Sequence, residues 1–351
     1  MAYELQEARR LVLEAGHRMQ RDGLIARTWG NISARISDTE MVITPSGRSY
    51  DSLVPEDIVR VHIDDGTWVE ETAAGRKPVR PSSEKLVHMA IYQERPGVNF
   101  IIHTHQAYAS ALSVLGRDLG DPVLPCAAYG MNATRLLQDN VAAAVKRHPE
   151  ARWVLMKNHG AVVFDSSYEA AAEDARALEM EAREEYRRLA GDVPEVSFGL
   201  TAAEADGCIR YREKLSFQDF LPGLCVWRVT SPVLRAASRF GIPMPAYLDD
   251  LAQISGPVVA CAEEQTWMEE AGCRLGVEKD TALLVRGNGA ICVGANEEET
   301  GAVAMVLEKN ALAFLLAERR RQAGEQVAVL DSHAAEEDRK SYLDHYSNLM
   351  H

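Results

Sequence analysis

The sequence predicts an α/β protein in which amphipathic helices alternate with buried strands. Residues 3–21 place apolar side chains on one helical stripe and stop at Gly23, which is typical of an amphipathic helix. Residues 98–102 (VNFII) are β-branched and aromatic, which is typical of a buried strand. Residues 168–190 form a long charged helical pattern that ends at Gly191. Helices and strands therefore occur in the same half of the chain.

Length and composition are those of an ordinary globular protein with two domains. The chain has 351 residues, of which 46% are hydrophobic and 26% are charged. No apolar run is expected to cross a membrane, and the start MAYELQEARR lacks a signal-peptide core. We therefore expect a cytoplasmic protein without a membrane partner.

Charge and cysteine content argue against further classes of protein. The net charge of −14 argues against a nucleic-acid partner, because phosphate backbones need a basic face. A small phosphorylated substrate stays compatible with this charge, since it needs only a few local donors. The six cysteines are scattered without a CxxC pair, so neither a zinc knuckle nor a redox motif is indicated.

The region around the VNFII strand supplies the other elements of the first half. TWGNISARI alternates toward a strand, and MVITPSG is typical of a strand that enters a turn. Ser82 and Ser83 stand where an N-cap belongs, so the sequence predicts a helix over residues 83–94. His88, one turn along this helix, is predicted to be a surface or packing residue. Another helix is predicted over about residues 106–115.

Three histidines form a candidate metal site. His103 and His105 close the VNFII strand, and side chains at i and i+2 of a strand face the same way. His159 follows the apolar run WVLM. Three imidazoles that leave an open position describe a catalytic zinc or similar divalent site, whereas a structural site is normally closed by cysteines.

Six short motifs follow one another along the first 195 residues. They are TWGNISAR (28–35), ITPSGR (43–48), PSSEK (81–85), HTH (103–105), LPCAAY (124–129) and KNHG (157–160). In their order they resemble class II aldolase and adducin proteins, a family that includes fuculose-1-phosphate and rhamnulose-1-phosphate aldolases and ribulose-5-phosphate 4-epimerase. The resemblance implies the class II aldolase fold, with a mostly antiparallel central sheet flanked by helices.

The resemblance also implies an activity. One divalent ion per chain, zinc first and manganese or cobalt as alternatives, would be held by His103, His105 and His159. Glu84 would move the proton, and the hydroxyl of Tyr129 would protonate the departing aldehyde oxygen. The reaction would be reversible cleavage of a ketose 1-phosphate into dihydroxyacetone phosphate and an aldehyde through a metal-stabilised enediolate.

Five residues match the positions at which the family gathers donors around the substrate phosphate. Turn backbones expose N–H groups, and a helix N-terminus directs its free N–H groups at an anion. The same residues are also compatible with plain turns and an N-cap. They are Asn31, Ser46, Gly47, Ser82 and Ser83.

Rival functions stay open at this point. Epimerases that resemble this pattern have aspartate where Glu84 stands, which weakens that interpretation. Decarboxylases and dehydratases of sugar phosphates or sugar acids keep the histidines, and the sequence does not describe the aldehyde pocket. Adducin-like members are structural or interaction proteins that lack the metal ligands, and the three retained histidines argue against that class for the first half.

The second half contains a degenerate, truncated copy of the first. LPCAAY is echoed by IPMPAY (242–247), and KNHGAVVF is echoed by RGNGAICV (286–293). We therefore predict an aldolase-like domain over 1–195, a pseudo-repeat over 205–330 and a tail over 331–351.

In the alignment of the two copies, the second copy lacks all three candidate metal ligands. Val229, Ser231 and Asn288 stand opposite the three histidines in chain order. None of these side chains is an imidazole, so the pseudo-repeat is predicted to bind no metal ion.

The likeness to family aldolases implies a homo-oligomer. The resemblance implies a ring of four subunits in which a tyrosine of the neighbouring subunit completes each site. Two chains could form a pseudo-ring of four units, with a tetramer of chains as the alternative. Tyr247 of IPMPAY matches Tyr129 of LPCAAY. We hypothesise that Tyr247 supplies its hydroxyl to the Glu84 site, with Tyr129 as the alternative.

Overall fold

The computed structural model describes residues 2–25, 29–69, 78–191, 196, 198, 211–217 and 219–346. The chain separates into two units. The first unit comprises residues 1–109 and 116–182, and the second comprises residues 110–115 and 183–349.

A seven-stranded sheet forms the centre of the first unit. Its strands are β1 (Asn31–Arg35), β2 (Glu40–Ile43), β3 (Val59–His62), β4 (Phe100–Thr104), β5 (Cys126–Ala127), β6 (Trp153–Met156) and β7 (Gly160–Asp165). The strand order is β3-β2-β1-β4-β7-β6-β5. Every neighbouring pair is antiparallel except β5 with β6. The expected mixed α/β content is confirmed, and the sheet is mostly antiparallel.

Helices and a buried core flank this sheet. The helices before residue 191 are α1 (Leu5–Arg21), α2 (Lys85–Glu94), α3 (Ala107–Ser113), α4 (Arg135–Arg147) and α5 (Tyr168–Ala190), with short 3-10 helices at Tyr50–Ser52 and Pro55–Asp57. Ile91 of α2 and Val141 of α4 belong to one core with Ile101 and Val162 of the sheet. Burying these aliphatic side chains stabilises the layer that carries the motif residues.

The predicted start of α2 is two residues too early. The helix begins at Lys85 because Ser82 and Ser83 form a preceding turn, in which the Ser82 carbonyl accepts from the Lys85 N–H at 3.2 Å. The Ser82 hydroxyl accepts from the Glu84 N–H at 3.2 Å. Glu84 is thus the N-cap residue, and its side chain stands at the end of the helix rather than within its first turn.

The second unit has a five-stranded sheet and a separate two-stranded sheet, in the orders β12-β13-β14-β9-β8 and β10-β11. The strands are β8 (Arg212–Leu215), β9 (Cys225–Val229), β10 (Met244–Pro245), β11 (Val258–Val259), β12 (Cys261–Ala262), β13 (Ala282–Val285) and β14 (Gly289–Gly294). The helices are α6 (Pro232–Ser238), α7 (Asp249–Ser255), α8 (Trp267–Arg274), α9 (Glu297–Gln322) and α10 (Ser332–Ser341), and a π-helical turn covers Tyr342–Tyr346.

Four strands in each unit share one pattern of pairing. β5 is parallel to β6, β6 is antiparallel to β7, and β7 is antiparallel to β4. β12, β13, β14 and β9 repeat this order and sense. A Cβ on Gly160, which begins β7, would clash with the Thr104 carbonyl, and one on Gly289, which begins β14, would clash with the Val229 carbonyl. This likeness supports the pseudo-repeat, which stays a proposal.

The pairing corrects the alignment of the two copies by one residue. Val229 is the counterpart of Thr104, because each pairs with the residue that follows the clashing glycine. The counterparts of the two histidines of the HTH motif are therefore Arg228 and Thr230, and not Val229 and Ser231. β9 shares no identical residue with β4 in this alignment, so the sequence alone could not reveal the register that the backbone pairing shows.

The expected match between Tyr247 and Tyr129 also disagrees with the strand order of the two sheets. Cys126 in β5 and Cys261 in β12 hold equivalent places beside β6 and β13. In the proposed repeat, Glu264, three residues after Cys261, stands opposite Tyr129. IPMPAY instead forms β10, which pairs with β11 in the two-stranded sheet.

One helix has the length and composition of a membrane span. The α9 segment passes this test by composition, which the sequence interpretation did not anticipate. However, 83% of its apolar window is buried inside the protein, and core helices of soluble proteins pass the same test. Composition alone is therefore weak evidence for a membrane location.

Candidate metal centre

The three predicted histidines come together at one end of the first sheet. His103 lies at the end of β4, and His105 follows two residues later. His159 lies in the tight turn between β6 and β7, where its N–H donates to the Met156 carbonyl at 3.0 Å. β4 and β7 are neighbours in the sheet, so this turn stands beside the end of β4.

The ring nitrogens converge closely. The Nε2 atom of His103 lies 3.0 Å from Nε2 of His105 and 3.1 Å from Nε2 of His159. All three histidines are buried. Among the described residues, this is the one group of three His, Cys, Asp or Glu whose ligand atoms lie within 4.8 Å of one another.

The chemistry of this donor set fits a divalent cation. His103 donates from Nδ1 to the Ala161 carbonyl at 2.9 Å, so a neutral His103 presents the lone pair of Nε2 to the other two rings. Lone pairs facing one another repel unless a proton or a cation lies between them. Three imidazoles, of which His103 has an outer hydrogen bond to the backbone, are typical ligands of a catalytic zinc or similar ion.

Glu84 stands directly beside the histidines. Its Oε1 atom lies 3.0 Å from Nε2 of His159, and its Oε2 atom lies 3.3 Å from Nε2 of His103. Burial by itself raises the pKa of Glu84, but His103 and His159, through their hydrogen bonds and through the positive charge that they carry when protonated in the metal-free site, lower it well below its ordinary value. The side chain is therefore a carboxylate at neutral pH, which is the form that accepts a proton.

The wider sequence likeness decides the family. A family model described as "Class II Aldolase and Adducin N-terminal domain" matches residues 10–186. The chain belongs to this family. L-fuculose phosphate aldolase of Escherichia coli strain K12 is 33% identical over 187 residues, which are 50% of this chain and 81% of that protein.

Another family relative has a different name. L-ribulose-5-phosphate 4-epimerase of Salmonella paratyphi B is 37% identical over 113 residues, which are 32% of this chain and 46% of that protein. A solved structure of an L-fuculose 1-phosphate aldolase is 28% identical, covers 51% of this chain and 84% of its own, and has a TM-score of 0.46. The two relatives from Escherichia coli and Salmonella paratyphi B are thus named as an aldolase and an epimerase of sugar phosphates.

The residues matched to the family's phosphate positions lie on adjacent segments. The Ser46 N–H donates to the Arg80 carbonyl at 3.0 Å, and the Ser82 N–H donates to the Thr44 carbonyl at 3.0 Å. Gly47 has φ +66, a left-handed conformation that favours glycine. These two backbone hydrogen bonds join the segment around Ser46 to the segment around Ser82. Ser83 lies in the turn before α2.

Asn31 links His88 to Glu84 by hydrogen bonds, which the sequence interpretation missed. The Asn31 side-chain amide donates to Glu84 Oε2 at 2.7 Å, and its oxygen faces Nε2 of His88 at 2.6 Å. His88 is completely buried, so of the two predicted positions, surface or packing, the surface position is wrong. The available signal was its spacing of four residues from Glu84, which places both side chains on one face of α2.

The two candidate tyrosines have different surroundings. Tyr129 is half-buried after β5, and its carbonyl accepts from the Asn140 side chain at 2.9 Å. Tyr247 is completely buried in the second unit, and its hydroxyl accepts from the Arg321 guanidinium at 2.6 Å. Burial raises the pKa of Tyr247, and the Arg321 charge opposes this shift. The role of Tyr247 stays a prediction, but these contacts favour packing.

Removing one imidazole tests the metal centre. His159→Ala should lose most of its bound metal, because two remaining neutral ligands hold an ion weakly. Elemental analysis of the purified wild-type protein should give close to one divalent ion per chain. His17→Ala, which removes a partly exposed histidine of α1, is the control and should keep the ion. Full metal content in His159→Ala would contradict this site, whereas two ions per wild-type chain would contradict the prediction that the second unit binds no metal ion.

Proposed function

We propose that this chain is a metal-dependent lyase that cleaves a ketose 1-phosphate into dihydroxyacetone phosphate and an aldehyde. The observation that carries the proposal is the Glu84 carboxylate, which lies 3.0 and 3.3 Å from ring nitrogens of His159 and His103. A carboxylate beside a cation site is suited to proton transfer next to a carbonyl. The relative named L-fuculose phosphate aldolase supports this reaction class.

His103, His105 and His159 would hold the ion. Zinc is favoured because three imidazoles with an open position are typical of catalytic zinc, while manganese and cobalt stay compatible. A divalent ion supplies a Lewis acid that draws electron density from a bound carbonyl. The three ligands are neutral, so they leave the ion's positive charge uncancelled.

The chain's own residues would move the protons. Glu84 is ionised and takes the proton from the carbon or hydroxyl that faces it, and it returns that proton in the reverse direction. The Tyr129 hydroxyl would donate a proton to the departing aldehyde oxygen. Tyr129 is preferred over Tyr247 because the Tyr247 hydroxyl is engaged by Arg321 in the core of the second unit.

The substrate phosphate would be bound by Asn31, Ser46, Gly47, Ser82 and Ser83. Two observations support this assignment. The two segments that carry the serines and the glycine are hydrogen-bonded to each other, and Ser82 also contacts the N–H of Glu84. A phosphate held there would place the sugar carbonyl toward Glu84 and the triad.

A 4-epimerase is the second candidate, because the relative from Salmonella paratyphi B has that name. A cation site beside the Glu84 carboxylate is compatible with both reactions. Decarboxylation or dehydration of a sugar acid stays a further alternative. Incubation of the metal-loaded protein with a panel of phosphorylated ketoses, pentuloses and sugar acids separates them: an aldolase releases an aldehyde, an epimerase an isomer, and a decarboxylase carbon dioxide.

The second unit would be a degenerate repeat without a metal site. Domains over 1–195 and 205–330, with the tail 331–351, are the division proposed from the sequence. Repeated strand pairing supports the common origin of the units. Two chains could then form a pseudo-ring of four units, and a mass measurement in solution tests this against a tetramer of chains.

Glu84→Gln tests proton transfer. The substitution keeps the shape of the side chain but removes its ability to take up a proton. Turnover of the substrate found in the panel should fall about a hundred- to ten-thousand-fold, with metal still bound. Glu94→Gln, at the other end of α2, should keep full activity. Wild-type turnover in Glu84→Gln would refute the role of Glu84.

Ser82→Asp tests phosphate recognition. A carboxylate at this position repels a phosphate dianion, so binding of the phosphorylated substrate should be lost. Inorganic phosphate should compete with substrate in the wild type. Ser52→Asp, in the Tyr50–Ser52 turn, is the control for an added charge. An unphosphorylated true substrate would contradict this assignment and favour the decarboxylase alternative.

Tyr129→Phe and Tyr247→Phe separate the two tyrosines, because each removes only a hydroxyl. We expect a large loss of turnover in Tyr129→Phe with little loss of thermal stability. Tyr247→Phe should instead lower the melting temperature and leave turnover close to wild type, since its hydroxyl accepts a buried hydrogen bond from Arg321. The reverse pattern would support the hypothesis that Tyr247 serves the Glu84 site.

A further inference from the structure

Two rows of polar side chains face each other between α2 and β1. Asn31 and Ser33 lie two residues apart on β1, so they share one face of the strand. Glu84, His88 and Tyr92 lie four residues apart along α2, so they share one face of the helix. Asn31, Ser33, His88 and Tyr92 are all buried. Polar groups so placed must satisfy one another, because water does not reach them.

The two rows interlock in a continuous chain of hydrogen bonds. Tyr92 OH lies 3.0 Å from Ser33 Oγ, and Ser33 Oγ lies 2.7 Å from His88 Nδ1. His88 Nε2 then lies 2.6 Å from Asn31 Oδ1. Asn31 Nδ2 donates to Glu84 Oε2 at 2.7 Å. This series of hydrogen bonds therefore runs from the last turn of α2 to the carboxylate beside the three histidines.

Only one direction of donation satisfies every member. The Glu84 carboxylate accepts only, so Asn31 presents its Nδ2–H group there and its Oδ1 atom to His88. Oδ1 accepts, so His88 carries its proton on Nε2. Burial is the main cause that lowers the pKa of His88 to about 3, so the ring is neutral and its Nδ1 accepts from the Ser33 hydroxyl. Ser33 in turn accepts from Tyr92.

We propose that His88 is a positioning residue for Glu84, acting through the Asn31 amide. A rotated Asn31 amide would place its oxygen against the Glu84 carboxylate and its NH2 group against the His88 N–H. Both contacts are repulsive, so the His88 proton fixes the amide in the orientation that donates to Glu84. The second hydrogen of Nδ2 stays available, so this role is compatible with a phosphate contact from Asn31.

This inference rests on the proposed function of Glu84 in proton transfer. A carboxylate held by one amide at Oε2 keeps Oε1 directed at the His159 side of the site. Without the amide donor, the carboxylate loses a charge-assisted hydrogen bond and gains rotational freedom. Misplacement of a catalytic group by a fraction of a hydrogen-bond length lowers its rate without removing it.

His88→Gln and His88→Asn form a matched pair that tests the proposal. The amide nitrogen of Gln reaches the position of Nε2 and can donate to Asn31, whereas the shorter Asn reaches only the position of Nδ1. We expect His88→Asn to lower turnover on the order of ten- to a hundredfold, and His88→Gln to retain most of it. Both should keep one metal ion and an unchanged KM. Equal losses in the two variants would overturn the proposal.

A double-mutant cycle separates positioning from general destabilisation. In the Glu84→Gln background, His88→Asn should cause little further loss of turnover, because the group that it positions has gone. Arg9→Met, which removes a buried side chain that donates to the Ile58 carbonyl at 3.1 Å, is the stability control. If Arg9→Met and His88→Asn lose turnover in the same proportion to their loss of melting temperature, His88 is structural and the proposal is wrong. The same conclusion follows if His88→Asn lowers turnover equally in the wild-type and Glu84→Gln backgrounds.

A spectroscopic measurement does not depend on the activity of Glu84. In asparagine-selective 15N spectra, the Asn31 side-chain amide, assigned by its absence in Asn31→Ala, should exchange slowly with solvent in the wild type. It should exchange faster in His88→Asn and stay slow in His88→Gln. An unchanged exchange rate of the Asn31 amide in His88→Asn overturns the proposal. If the exchange rates change as expected but Glu84→Gln keeps wild-type turnover, only the proposed function is overturned. If neither His88 variant folds, Ser33→Ala, which removes the donor to Nδ1, is read in the same way.

Discussion

The register of β4 against its two neighbours determines the chemistry of the first unit. On one side Asn31 pairs with His103, and on the other Thr104 pairs with Ala161. The first pairing brings the amide that holds Glu84 to the end of β4, and the second brings the β6–β7 turn to the same place. A slip of one residue would direct His103 to the other face of the sheet and dissolve the cluster.

Much of the site could be predicted from the sequence, because it consists of short local patterns. The amino-acid sequence itself shows the spacing of His103 and His105, the turn that carries His159, and the carboxylate before a helical pattern. His88 was missed because its importance comes from a partner on β1 that is far away in the chain. The start of α2 was misplaced because the Ser82 hydroxyl bonds to the Glu84 N–H, a choice between two similar caps.

The register of the second sheet could not be predicted for a similar reason. Nothing in the letters of β9 decides which residue pairs with β14, and the one-residue shift changes the chemistry. Arg228 holds the strand position of His103, and its guanidinium forms an ion pair at 2.9 Å with Glu264, which holds the position of Tyr129. A guanidinium offers no lone pair to a metal ion, so Arg228 cannot replace the imidazole as a ligand.

The long apolar helix α9 has a consequence for the unfolded chain. Its apolar window is covered by the folded protein, with 83% of it buried. When that cover is lost, the exposed segment has the hydropathy of a lipid-facing helix in an aqueous medium. Such a segment favours aggregation over refolding, so thermal inactivation of this protein should be irreversible and should depend on heating rate and concentration.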